Sequence, residues 1–132
     1  MTDLDLYVKH KKEMGKRFKY FRILLFKTHA ELAEETGFTK QDIHFFELGA
    51  VFPDFRFLDY FSQKYGLSLT WISSGAGPIF YKESGEISRP FFDYCQTCSP
   101  DSDDFAEFIE ICAKSLKESE YKAAKVDTNK SR

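Results

Sequence analysis

The stretch Thr28-His29-Ala30-Glu31-Leu32-Ala33-Glu34-Glu35-Thr36-Gly37-Phe38-Thr39-Lys40-Gln41-Asp42-Ile43-His44-Phe45-Phe46-Glu47-Leu48-Gly49 decides the fold. It holds two helix starts eleven residues apart. Thr28 and Glu31 make a capping box, in which the hydroxyl accepts the amide of Glu31 and the carboxylate returns to the amide of Thr28. Thr39 and Asp42 repeat it with a shorter carboxylate, which still suits the positive end of a helix. Gly37 and Gly49 stand where each helix needs a left-handed end. Leu32, Ala33 and Thr36 share one face of the first helix, and Ile43 and Phe46 are the inward positions of the second. Ala33 lies where the two cross, and a larger side chain there would push them apart. Two short helices on a tight turn meet the demand of a second helix that must project from a rigid platform into a groove.

Outward from this pair, residues Leu4 to Lys27 read as a helix capped by Thr2 or Asp3, with Leu4, Val8, Phe18, Phe21 and Leu25 as its apolar positions. Gly15 is expected to divide it into an arm and a helix proper. Pro53-Asp54 opens a fourth helix carrying Phe57, Leu58, Phe61 and Tyr65 and stopped by Gly66. Ser68 caps a short fifth with Leu69, Trp71 and Ile72, closed by Gly75-Ala76-Gly77-Pro78. Residues 82–99, with Gly85 and Pro90, read as a linker or extended arm anchored by Phe91-Phe92. A C-terminal helix over 100–125 carries the stripe Phe105, Phe108, Ile109, Cys112 and Leu116. Residues 126–132 read as a disordered tail. The expected class is all-α, without repeats or strands: a helical domain over 1–81, the linker, and the C-terminal helix.

Composition bounds the function. A chain of 132 residues is one small domain plus an appendage. Its 19 basic and 21 acidic side chains give a net charge of -2, which excludes a histone-like or polybasic protein. The charge is uneven. Lys9 to Lys27 holds eight cations and one anion, Glu31 to Asp59 two cations and seven anions, and residues 83–132 seven cations and eleven anions. An anionic partner should therefore be met by the first helix. With 15 Phe and 17% aromatic residues, some rings are expected to line a contact surface. No signal peptide is expected, because the first 20 residues are charged and lack a continuous apolar stretch, and apolar runs such as Ile23-Leu24-Leu25-Phe26 are too short for a bilayer. Three cysteines make no disulfide framework and fit a reducing compartment, so a cytoplasmic protein without membrane contact is expected.

The run Gly15-Lys16-Arg17-Phe18-Lys19, then Arg22, Thr28 to Gly37, Ile43, Phe46-Glu47-Leu48-Gly49 and Pro53 resembles the phage-repressor (lambda repressor/Cro-like, XRE) helix-turn-helix family. Trp71-Ile72-Ser73-Ser74-Gly75-Ala76-Gly77-Pro78 is similar to the closing segment of such domains. The resemblance covers about residues 14–80 and implies a five-helix domain whose third helix reads the major groove of double-stranded DNA. It places Lys40, Gln41, His44 and Phe45 at base edges, with Gln41 suited to adenine, Lys40 to guanine or a phosphate, and Phe45 to a thymine methyl. It places His29, Thr39, Lys16, Arg17 and Lys19 at phosphates, and it makes Arg22 and Glu47 a structural ion pair between the first and third helices. The chain departs from the family in Phe45, in Asp42, and in the apolar segment Gly49-Ala50-Val51-Phe52-Pro53, where phosphate-holding residues are usual. The lysines and Arg17 of the first helix are expected to compensate.

The resulting expectation is a sequence-specific, DNA-binding transcriptional regulator, dimeric through Phe105, Phe108, Ile109, Cys112 and Leu116, acting by occlusion or recruitment at a promoter. No enzyme, cofactor or metal is expected. Cys95-x-x-Cys98 with Cys112 falls short of four zinc ligands, and Gly75-Ala76-Gly77 is no phosphate loop. Nothing in the sequence identifies a small-molecule effector. The alternative is a protein-interaction module that uses the acidic, Phe-rich face around Asp42, Phe45 and Phe52. A third reading gives Cys95 and Cys98 a redox-sensing role.

Overall fold

A computed structural model describes residues 2–97 and 102–130, with side chains as far as Leu116. Among the described residues there are seven helices and no strand: α1 Asp3–Leu24, α2 His29–Thr36, α3 Lys40–Leu48, α4 Phe55–Tyr65, α5 Leu69–Ser74, α6 Arg89–Thr97 and α7 Asp103–Lys130. The fold is all-helical. Both capping boxes form, with the Thr28 and Thr39 hydroxyls accepting the amides of Glu31 and Asp42 at 3.0 Å. The shorter Asp42 still reaches the Thr39 amide at 3.1 Å. A further box at Thr2 and Asp5 opens α1, Asp54 caps α4 and Ser68 caps α5.

Gly15 does not divide α1. The helix runs through it, because at this point α1 presses backbone to backbone on the last turn of α3. A Cβ on Gly15 would lie 2.2 Å from the Phe46 carbonyl oxygen. The residue is a close-approach glycine inside a helix, not a breaker. At the other end, α1 stops in a left-handed turn carried by Phe26, whose φ of 55° is unusual for a bulky residue. The Arg22 guanidinium, bonded to the Lys27 carbonyl at 2.9 Å, ties this turn down.

The surplus of phenylalanine goes inward. Of 15 Phe, only Phe26, Phe45 and Phe55 are exposed, so the expected aromatic contact surface is small. Phe18, Phe21, Phe57 and Phe61 form the centre, with ring centroids 4.9–5.9 Å apart and mostly edge-to-face. Such pairs add about 0.5–1.5 kcal/mol each beyond the area they bury. Short helices cannot hold themselves in water, so this cluster fixes α1 against α4, and Phe46 of α3 joins it through Phe57 at 5.1 Å.

Two expectations fail in the C-terminal third. Within the segment read as a linker, Arg89–Thr97 folds as α6, with Pro90 tolerated in its first turn. It is clamped to the body by Gln96, whose amide group bonds both the carbonyl and the amide of buried Phe80 at 3.0 and 3.4 Å. The expected dimer stripe is also absorbed. Phe105, Ile109, Cys112 and Leu116 are buried in the protein's own core, and Phe105 meets Tyr20 of α1. Phe108 packs on Phe91 and Tyr94 of α6. An apolar stripe already covered by its own chain leaves nothing to pair with a second copy. Among the described residues one core thus runs from Met14 of α1 to Ala113 of α7, rather than a domain with an appendage. Helix α7 continues to Lys130, through residues read as a disordered tail, because no Gly or Pro after Pro100 interrupts it.

Candidate nucleic-acid interface

Helix α3 has two distinct sides. Ile43 and Phe46 are buried. Lys40, Gln41, His44, Phe45 and Leu48 are exposed and lie one turn apart in pairs along the outer face. Among the described residues, neither Lys40 nor Gln41 has a side-chain partner within the chain. The helix start is rigid, since Thr39 and Asp42 use each other's polar atoms in the box. That leaves the Thr39 hydroxyl hydrogen as its free donor.

Three contacts hold the inner side of α3. Gly15 abuts its last turn. Arg22 donates through Nε and an Nη to the two Glu47 oxygens at 2.6 and 3.1 Å, with side chains only 8% and 4% exposed. A planar two-bond fork is the strong form of this pair, and it joins α1 to α3. His29 adds a third bond to the same carboxylate, Nε2 to Oε1 at 3.0 Å. Burial pushes the Glu47 carboxyl up, but the bonds and charges of His29 and Arg22 outweigh it and hold the group below the ordinary carboxylate range. His29 is therefore drawn toward Glu47 instead of standing clear for a phosphate. Its ring also meets that of His44, with centroids 5.9 Å apart.

The basic positions of α1 divide similarly. Arg17 donates to the Ile72 carbonyl at 2.9 Å and reaches Glu13 at 3.5 Å. It caps the end of α5 rather than facing a phosphate, because the last carbonyls of a helix need a donor. Lys9, Lys12, Lys16 and Lys19 are exposed. Their spacing puts them within a sector of roughly 80° on one side of α1. Lys19 borders a groove of about 300 Å³ that also involves His29, His44 and Leu48. Lys12 backs onto Gly49 at the end of α3. Lys12 and Lys19 therefore lie beside α3, with Ala113 and Leu116 of α7 bordering the same groove as Lys19, whereas Lys16 borders a separate groove with Trp71 of α5 and Asp103 and Ala106 of α7. Lys16, an exposed residue, leans over the Tyr20 ring with its ammonium 5.6 Å from the centroid.

Glu35, which sequence reasoning left without a role, fixes α2 to α4. One of its oxygens accepts from Tyr60, Lys64 and Tyr65 together, at 2.9, 2.8 and 2.5 Å. Desolvation raises the Tyr65 hydroxyl well above its ordinary pKa, with the Glu35 bond adding to it. Glu and Tyr placed 25 and 30 residues apart give no local signal.

Among the described residues no group of His, Cys, Asp and Glu could hold a metal ion. Cys95 is buried, while Cys98, the other half of the expected redox pair, lies outside the described residues. Burial raises the Cys112 thiol above its ordinary pKa, which makes it a poor nucleophile. No helix among the described residues is long and apolar enough to cross a membrane. Comparison of the chain with protein families, with curated proteins and with solved structures finds no match.

Proposed function

We propose that helices α1 to α5 form a repressor-like helix-turn-helix unit that binds double-stranded DNA as a transcriptional regulator, with α3 in the major groove. One observation carries the reading: Lys40 and Gln41 stand exposed on α3 without a side-chain partner among the described residues, with Lys12 and Lys19 of α1 beside the same helix. In this reading Gln41 pairs with adenine and Lys40 with guanine or a phosphate. Lys9, Lys12, Lys16 and Lys19 supply the backbone contacts that the apolar segment 49–53 lacks. Phosphate contacts for His29 and Arg17 drop out of the proposal, because their nitrogens serve Glu47 and the end of α5. The reading assigns binding alone and no chemical step.

Four phosphate contacts give log K a slope of about -4 against log salt, so affinity falls by about two orders of magnitude from 50 to 200 mM. Selection of bound sequences from random duplex DNA tests the proposal. An enriched motif that Lys40→Ala and Gln41→Ala weaken or respecify supports it. Recovery of unenriched DNA with no response to either substitution refutes it.

A second reading rests on Phe45, Leu48 and Val51, which are 38%, 58% and 44% exposed around the same helix. They suit a protein partner better than a groove. Such a contact would be insensitive to salt and would be lost in Phe45→Ser.

A further inference from the structure

The apolar stripe of α1 outruns the body it serves. Gly15, Phe18 and Arg22 lie buried on its inner side. Continued toward the N-terminus at helical spacing, the same side carries Lys11, Val8, Tyr7 and Leu4. Here the stripe emerges into solvent: Leu4 is 69%, Tyr7 52% and Val8 37% exposed. The segment 49–52 runs alongside, with Gly49 against Lys12 and the Phe52 ring against Tyr7 and His10 at 5.0 and 5.9 Å. Exposed Leu48 and Val51 flank that contact in the chain. The arm and this edge place exposed apolar side chains next to one another, and the C-terminal stripe expected to serve a dimer is already packed on its own chain.

We propose that this arm is a self-association surface, covered by the arm of a second copy lying antiparallel across a two-fold axis. Charge along the arm chooses the occupant. Asp3 and Asp5 stand at its start, and Lys9, Lys11 and Lys12 at its end. Antiparallel pairing brings opposite charges together, whereas parallel pairing opposes like charges. Setting Tyr7 against Val8 places Leu4 against the aliphatic stem of Lys11 and brings Asp5 within reach of Lys12, which shares its flank of the helix. Each contact then occurs twice, as a two-fold interface requires. Lys11 already lies over Tyr7, its ammonium 5.2 Å from the ring centroid, so its stem runs along the stripe. Two short arms and their edges make a small interface, so the dimer is a weak, concentration-dependent one.

Sedimentation equilibrium of the full chain, without DNA, tests this from about 1 to about 300 µM. The parent should pass from monomer to dimer in that range. Leu4→Glu/Tyr7→Glu should remain monomeric, with a thermal melt lowered only slightly, by loss of the Tyr7–Phe52 ring contact. Asp5→Lys alone and Lys12→Glu alone should each dimerise about tenfold more weakly, since each opposes two like-charge pairs. Mixed at equal concentration, these two variants should form a heterodimer as tight as the parent dimer. A parent that stays monomeric throughout overturns the proposal, as does a dimer indifferent to Leu4→Glu/Tyr7→Glu. A mixture no tighter than its components overturns the antiparallel register. The proposal is independent of groove reading by α3, and mass in DNA-free solution keeps the two failures apart.

Discussion

Replacing Gly15 by alanine sets two physical effects against each other with opposite signs. Gly15 sits inside α1, where helix propensity alone favours alanine by about 1 kcal/mol. The added Cβ, however, would stand 2.2 Å from the Phe46 carbonyl oxygen and 2.8 Å from that of Glu47. An ordinary carbon–oxygen contact is about 3.3 Å. Both obstacles are backbone, so no rotamer relieves them, and α1 must move from α3 by about 1 Å. That shift also stretches the Arg22–Glu47 fork, already short at 2.6 Å. Overpacking of this kind costs about 1–3 kcal/mol and more when backbone must move. The expected net loss is about 2 kcal/mol after the propensity gain. At about 3–4 °C per kcal/mol for a chain this long, Tm should fall by about 7 °C. Urea and thermal melts followed by far-UV circular dichroism measure it. Gly37→Ala is the control, because its Cβ meets open space and its penalty is only that of a left-handed backbone, φ +85°, about 1 kcal/mol. If Gly15→Ala is as stable as the parent or more so, the backbone approach between α1 and α3 is wrong, and with it the account of what holds α3.

Glu47→Gln keeps the shape of the fork but leaves Arg22 buried without a counter-charge, and should cost about 3 kcal/mol at neutral pH. The Glu47 carboxyl is held below its ordinary range, so its contribution is complete above about pH 5 and is lost as pH falls through the depressed native value. Urea melts at several pH values should therefore show a flatter acid limb in Glu47→Gln, with the slope that remains coming in part from Glu35, which is depressed in the same way. Phe105→Ala should cost about 3–5 kcal/mol, and the loss should be equal at high and low protein concentration because Phe105 is buried in its own chain. A concentration-dependent loss would return the stripe to a dimer. If DNA is bound as proposed, Lys12→Ala/Lys16→Ala should reduce the salt slope by about 2, read by fluorescence anisotropy, while weakening all sequences alike.

The helix boundaries of the first 75 residues are legible because they rest on local chemistry. Thr28, Thr39, Asp54 and Ser68 each bond an amide two or three residues ahead, and Gly37, Gly49, Gly66 and Gly75 each take a left-handed φ. None of these depends on a distant partner. Gly15 is misread by the same local logic. A glycine in a helical run looks like a breaker until the facing carbonyls of Phe46 and Glu47 are known. Arg17, His29 and Glu35 fail to declare themselves for the same reason, since each is committed to an atom 18 to 55 residues away. The Arg22–Glu47 pair is reachable through a family resemblance alone. The α7 stripe reads correctly as apolar, but periodicity says that a face is buried and never by what.

The division of labour on α3 follows from this packing. Its inner side answers to three constraints that differ in kind: a backbone approach at Gly15, a charged fork at Arg22, and ring packing of Phe46 on Phe57 with centroids 5.1 Å apart. Any one of them would leave the helix free to roll or slide. Together they fix its axial position, its rotation and its depth. The outer side is then relieved of structural duty, so Lys40 and Gln41 can change identity without touching the core. A helix positioned in this way can present different side chains at a constant place, which is what sequence reading in a groove demands. The same separation makes the proposal exposed to test. Substitutions at Lys40 and Gln41 should alter binding and leave the melt where it was, whereas those at Gly15, Arg22 or Glu47 should move the melt first and binding only as a consequence. If Lys40→Ala or Gln41→Ala destabilised the fold as Gly15→Ala does, the outer face would be structural, and the argument for a recognition helix would lose its basis.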